Sequence, residues 1–219
     1  MDYYNKIDEA YLTELQNPMR KLKFKVEILS HYEGAIGQIT NDLSSAEVGS
    51  ISINKEQGCR RSCSFTIIDR DEKYLPQVDS WFWYNRKFKL FIGVVVSNDI
   101  YWFPQGVFIT KSATAHGKAI AIEGIDKYGF LNGELNARMC LVEYQASVTN
   151  SKKGTKIADL IRDTLMLDLG NNIPLDPIEP LIDPIFYDAE LYDDIVVDEG
   201  GYLGEIFDKL AEMYGANIY

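Results

Sequence analysis

Between Leu22 and Gly124 apolar side chains recur at every second position in short runs, and no helical pattern of crossover length separates one run from the next. A period of two is what a strand with one buried face requires, and strands joined without a crossover helix have to pair antiparallel. Leu22, Phe24, Val26 and Ile28 alternate with Lys23, Lys25 and Glu27, and Phe88, Leu90, Ile92 and Val94 repeat the pattern within Lys87–Val96. Further strands are expected at Ala35–Thr40, Ala46–Asn54, Trp81–Tyr84, Tyr101–Phe103, Val107–Ala115, Lys118–Gly124 and Ala137–Ala146. Turns at His31–Gly34, Ser97–Asp99 and His116–Gly117 join them, a polar crossing with Pro76 fills Asp69–Asp79, and Pro104-Gln105-Gly106 should break the strand begun at Tyr101. Such close spacing predicts a mainly β fold, an antiparallel sandwich or barrel and not a parallel α/β sheet.

The hairpin Gly49–Asp69 is the clearest unit of this region. Cys63, Phe65 and Ile67 fall on one face of its second arm and Ser62, Ser64 and Thr66 on the other, Ile51 and Ile53 give the first arm a matching apolar face, and Lys55-Glu56-Gln57-Gly58 makes the turn. Arg60 and Arg61 open the return strand with nothing near them in sequence to neutralise both. They are candidates for a contact between subunits or with phosphate, against the plainer role of a solvated strand end that discourages edge pairing.

An N-terminal helix over residues 5–16, with Ile7, Tyr11, Leu12 and Leu15 at helical spacing, is stopped by Pro18. After residue 150 the character changes. Thr155 is placed to cap a helix over Lys156–Leu167, striped by Ile157, Leu160, Ile161 and Leu165 and ended at Gly170-Asn171-Asn172. A second helix, Tyr202–Tyr214, sets Leu203, Ile206, Leu210 and Met213 together and ends at Gly215. Between them Asn172–Gly201 holds four of the seven prolines and reads as an extended loop with one strand at Asp194–Val197. The expected organisation is an arm (1–21), an antiparallel β-barrel domain (22–150) and a smaller helix-loop-helix α+β region (151–219), whose closing Ala216–Tyr219 resembles a strand that the native chain continues.

Charge divides the chain in the same place. Residues 1–150 carry 17 Lys+Arg against 18 Asp+Glu and residues 151–219 carry 5 against 15, so nearly all of the net −11 belongs to the last third. Binding of a nucleic acid backbone by the whole surface is disfavoured. The acidic stretch Asp183, Asp188, Glu190, Asp193, Asp194, Asp198 and Glu199 lacks the spacing of a calcium loop or of a glycosidase pair, and a solvated, mobile loop is expected.

Three cysteines make no disulfide framework, three residues separate Cys59 from Cys63, and His31 and His116 are the only histidines, a poor supply for zinc. No nucleophile elbow, metalloprotease or phosphate-loop motif occurs. No catalytic, cofactor-binding or metal residue is therefore assigned, and an enzyme is not expected. No apolar run approaches the roughly 20 residues of a membrane span, and the first residues lack the order of a signal peptide, so a soluble protein used without export is expected, with no membrane insertion. The aromatic group Trp81, Trp83, Tyr84, Tyr101, Trp102 and Phe103 suits either a carbohydrate platform or core plus interface anchors; Trp81, Trp83 and Trp102 are the interface candidates.

The segment Asn17–Lys21 before the first strand, then GSISINKEQGCRRSCSFTIID, YWFPQGVFIT and IAIEGIDKYGFLNGE, resembles the N-terminal part of bacteriophage tail hub proteins, baseplate components also found in phage-derived contractile particles. GTKIADLIRDTL, the proline-rich loop and GGYLGEIFDKLAEMYGANIY resemble an insert of that family. The resemblance implies a tube-like barrel, and subunits that form a ring, usually a trimer, continuing the tail tube and carrying the spike or tip. It implies a virion structural protein of the tail baseplate, assembled in the bacterial host cytoplasm, with genomic DNA only in transit through the lumen and no active site. Complete hub proteins usually carry a second tube-like domain, for which this sequence lacks room, a departure that leaves both a fragment and a shortened relative of the family open. The alternatives are a carbohydrate- or receptor-binding β-module of the tail tip and, behind it, a cell-wall hydrolase. Replacing Arg60 and Arg61 with Ala is expected to weaken assembly more than folding.

Overall fold

A computed structural model of the chain describes residues 9–40, 49–54, 61–70, 74, 81–82, 86–132, 134, 154–165, 178–195 and 202–216. The expected turn at Lys55–Gly58, the strand at Ala137–Ala146, the helix stop at Gly170–Asn172 and the boundary at residue 150 lie outside the described residues. The chain divides into two compact units, one of residues 1–52 and 62–126, the other of residues 53–61 and 127–219.

In the first unit the alternating runs become strands β1 (Leu22–Leu29), β2 (Ala35–Ile39), β3 (Ser50–Ile53), β4 (Arg61–Ile68), β5 (Lys87–Val96), β6 (Asp99–His116) and β7 (Ala119–Asp126). They form one seven-stranded antiparallel sheet in the order β2-β1-β5-β6-β7-β4-β3, so that β2 and β3 are the ends of the order. The registers align the apolar positions across strands: Ile28 lies opposite Phe88, Phe88 opposite Phe108, Phe65 opposite Ile122 and Ile67 opposite Ile120. These residues share one face and form its core with Val26, Ile39 and Cys63.

Phe88 is at the centre, stacked on Phe108 at 5.9 Å between ring centroids and edge-on to Phe65 at 5.5 Å and Phe82 at 6.3 Å. Its ring runs over β7 at Gly124, where a Cβ would stand 2.5 Å from Phe88 Cζ and 2.9 Å from Cys63 Sγ. Only glycine leaves room for that crossing.

Three expectations are corrected here. Pro104-Gln105-Gly106 does not break a strand, because β6 runs unbroken for 18 residues. Leu90 pairs with Gly106 and Phe91 with Pro104, which leaves Gln105 as one extra residue in a bulge. The described pairing of β6 with β7 begins only at Phe108, so the proline, which cannot donate to a ladder, sits where β5 is the sole described neighbour. Trp81 and Phe82 form a turn instead of a strand, with Phe82 buried against Phe65 at 6.0 Å. In the first hairpin arm only Ile51 packs against the core, while Ile53 is 65% exposed.

Helix α1 (Glu9–Gln16) is anchored by Tyr11, whose ring lies 4.9 Å from Phe103 and 5.5 Å from Tyr101 on β6.

The second unit is built from a 3-10 turn at Lys127–Phe130, helix α2 (Ile157–Leu165), a 3-10 turn at Pro184–Phe186 and helix α3 (Gly204–Tyr214). Ile157 and Leu160 from α2 and Leu203, Ile206 and Leu210 from α3 and the residue before it enclose a second core with Leu191 and Ile195. Tyr128 ties the first turn to α3, its hydroxyl lying 2.9 Å from Gly204 O and 2.6 Å from Asp208 Oδ1, the acceptors between which its one proton is shared. Gly215 ends α3 in the left-handed conformation at φ 60°, its N–H donating to Ala211 O, as the sequence pattern predicts. Ile195 makes a bridge, and the rest of the strand expected at Asp194–Val197 lies outside the described residues from Val196 on.

Candidate assembly surfaces

The sheet positions the tryptophans differently from a shared platform. Trp81 lies on the core face, its ring occupying the space where a Cβ on Gly37 would stand, with Tyr74 at 5.4 Å between ring centroids. Trp102 pairs with Gly93 on the opposite face, and a Cβ at Gly93 would come within 2.8 Å of its ring. A sugar cannot stack on both at once. Trp83 lies outside the described residues.

Around Trp102 the outer face is a cation–aromatic surface. Lys25 pairs with Phe91 across β1 and β5, and its Nζ lies 4.0 Å from the Phe91 centroid and 5.2 Å from that of Trp102. Lys89 Nζ approaches Phe91 at 5.4 Å, and Glu27 accepts from Lys25 at 2.9 Å. Phe91 is itself buried, so Lys25 covers its ring while Trp102 stays half-buried beside it. Sequence alternation marks these lysines as outward-facing, but the partnership with Phe91 and Trp102 depends on cross-strand register.

Arg61 is half-buried at the start of β4, with its Nε shut off from solvent, so it is not simply a solvated strand end. Arg60 lies outside the described residues. A buried cation that periodicity does not reveal is Lys87, 2% exposed, donating to His31 O at 3.2 Å and Glu33 Oε1 at 3.3 Å. Its partners come from the turn before β2, in which Glu33 takes a positive φ of 59°. The two contacts tie the start of β5 to this turn.

Burial pushes the Cys63 thiol up to about 12, and the backbone hydrogen bond with Gly124 lowers it by less. A thiol held protonated is neither nucleophile nor metal ligand. Among the described residues no cluster of three His, Cys, Asp or Glu side chains could hold a metal ion. Because the folded-state value lies above the ordinary 9.0, the folded protein keeps its proton where the unfolded chain loses it. Stability should therefore fall as pH rises from about 9 towards 12. In a Cys59→Ser/Cys140→Ser background, Cys63 should resist a thiol reagent at pH 8 until denaturant unfolds the sheet; prompt labelling of the native protein would contradict its burial.

The acidic proline-rich stretch is not a free loop over residues 178–195. Gly154 donates to Leu191 O at 3.0 Å, Leu191 to Thr155 O at 2.9 Å and Ile157 to Ala189 O at 3.0 Å, a short ladder that clamps it to the start of α2. Leu191 and Ile195 are its buried anchors. Lys156 donates to Asp188 at 2.9 Å, and that carboxylate holds the ammonium above its ordinary range. Asp183 caps the Pro184–Phe186 turn by accepting from Ile185 N at 3.0 Å. Tyr214 donates to Glu190 O at 2.8 Å. Asp183, Asp188, Glu190, Asp193 and Asp194 are exposed, and Asp198 and Glu199 lie outside the described residues. No described helix is long and apolar enough to cross a membrane.

No protein-family model and no curated protein sequence matches the chain. Among solved structures it is similar to a chain of the Francisella PdpA-VgrG complex in its half-lidded form, at 9% identity and a TM-score of 0.43, over 93% of this chain and 30% of that one. In the lidded form of that complex the values are 9% and 0.41, over 89% and 26%. A hypothetical protein from Staphylococcus aureus gives 18% and 0.25, over 59% and 82%. The chain spans less than a third of the length of the PdpA-VgrG complex chains it matches. Superpositions this loose assign no role to any residue.

Proposed function

We propose that the chain is a structural component of a bacteriophage tail or phage-derived particle, a hub ring protein that joins the tail tube to the tip or spike. The observation that supports this reading is where the hub-like segments fall in the fold. GSISINKEQGCRRSCSFTIID contributes β3 and β4, YWFPQGVFIT lies inside β6, and IAIEGIDKYGFLNGE contributes β7 and the turn after it. The two insert-like segments contribute α2 and α3.

On this reading the sheet belongs to a tube-like domain over residues 22–150, the region 151–219 is an insert, and copies assemble into a ring, a trimer in the family. Its neighbours are the tail tube, distal tail and spike or tip proteins of the virion baseplate, assembled in the host cytoplasm. Genomic DNA passes through the lumen without being held. The work is adhesion between subunits, so no active site is needed, and Arg60, Arg61, Trp83 and Trp102 are its proposed contacts.

Immunogold labelling of intact tail particles tests the reading: the label should sit at the junction of tube and tip. Label spread along the tube, or particles that assemble normally without the chain, would contradict it.

A further inference from the structure

We infer that two exposed apolar patches of opposite charge, one at residues 12–22 with Lys23 beside it and one at residues 181–193, are the two halves of a contact between neighbouring copies of this chain. The inference rests on the ring reading for its closure, and its own evidence is the chemistry of the two patches.

The first patch begins on α1. Tyr11 is buried, while Leu12 and Leu15 are exposed, and after the helix Met19 is 86% and Leu22 42% exposed. Over the described residues of α1 only Tyr11 is buried, which leaves Leu12 and Leu15 as apolar surface that a partner would cover. Arg20 Nη1 donates to Leu15 O at 3.3 Å, which holds the guanidinium against the end of this apolar strip. Lys21 and Lys23 are exposed beside it. With Glu14 the only acid, residues 12–23 carry a net +2.

The second patch is presented by the clamped segment of the second unit. Leu181 is fully exposed, Ile185 is 73% exposed, and Tyr187 and Tyr192 are exposed as well. The stretch is fixed: Tyr192 donates to Met213 O at 3.2 Å, Arg162 lies 5.7 Å from the Tyr187 ring, and Arg162 also reaches Glu179 at 3.4 Å. An ordered backbone has already lost part of the entropy that docking would cost. Residues 178–195 hold six carboxylates and no Lys or Arg, and with Asp188 paired to Lys156 and Glu179 to Arg162 the strip still carries about four unmatched negative charges.

A second copy is the occupant this chemistry selects. At a net charge of −11 two copies repel on average, and a contact in which the meeting surfaces differ in sign offsets that repulsion. The basic strip of one copy against the acidic strip of the next is such a contact, and a head-to-tail contact of this kind closes into a ring when its rotation permits.

Mixing two single variants tests it, Met19→Cys on one chain and Leu181→Cys on another, both in the Cys59→Ser/Cys140→Ser background. Under mild oxidation the mixture should give a covalent dimer on a non-reducing gel well above either variant alone. Lys21→Glu/Lys23→Glu should raise the concentration for half-assembly about tenfold or more, and adding Glu190→Lys/Asp193→Lys should restore it. Unchanged circular dichroism of each variant keeps the readout on association. A ring that ignores the charge reversal and gives no mixed dimer would overturn the contact and leave the ring standing. Mixed dimers without a closed ring would keep the contact and overturn the ring. Absence of mixed dimers, with capture of the 178–195 segment by another tail protein, would assign the patch elsewhere.

Discussion

Replacing Phe88 with Ala should lower the unfolding free energy of the sheet unit by about 3–5 kcal/mol, the range for emptying a large aromatic site that cannot collapse. Phe88 is fully buried, and four partners fix its surroundings: Phe65, Phe82, Phe108 and the crossing at Gly124. Backbone ladders on both sides, to Ile28 and to Phe108, prevent those rings from closing the gap. A urea titration followed by near-ultraviolet circular dichroism measures the loss. Ile53→Ala, at an exposed site, is the control and should stay within about 0.5 kcal/mol. Equal effects at both sites would contradict the placement of the core.

The second large effect is expected at Leu191. Leu191→Ala removes a side chain that is 1% exposed, at the point where the acidic segment is clamped to Gly154 and Thr155, and should cost about 2–5 kcal/mol. The result extends beyond the cavity, because Leu191 and Ile195 are the two buried anchors of residues 178–195. Limited proteolysis should therefore cut this variant within the segment much faster than the parent. Leu181→Ala, in the same segment and fully exposed, should leave both stability and cleavage unchanged. A segment cut as quickly in the parent as in Leu191→Ala would mean that the ladder does not hold it.

These two sites show what was legible in the sequence and what was not. Strands β1 and β5 keep the expected bounds because their alternation is uninterrupted, and the apolar face of β4 follows for the same reason. Strand β6 is misread because Pro104 and Gly106 carry the composition of a breaker, whereas the bulge at Gln105 depends on register with β5. The aromatic run at Trp81 has strand-like composition, but its first two residues turn so that Phe82 can reach Phe65 and Phe88. Lys87 looks like an exposed strand residue until the turn carrying Glu33, 54 positions earlier, is brought over it.

The acidic segment is the instructive failure. Its prolines and carboxylates are those of a solvated loop, and its apolar residues have no period. Leu191 and Ile195 point inward with Phe186 and Ala189 packed beside them, while Leu181, Ile185, Tyr187 and Tyr192 point outward, a division set by the ladder to Gly154–Ile157 and invisible along the chain. The candidate surfaces are legible in the same uneven way. Trp102 was identifiable as a large aromatic on a strand; its lysine partners and its separation from Trp81 by the thickness of the sheet were not.

The central claim, that the chain builds a ring, is tested most directly by the mass of the purified protein in solution. Light scattering across a concentration series, with negative-stain images of the same sample, should give one closed ring-shaped species at a fixed multiple of the subunit mass, three in the family it resembles. A chain that remains at one subunit mass at every concentration, alone and in the presence of tail-tube and spike proteins, would contradict the account.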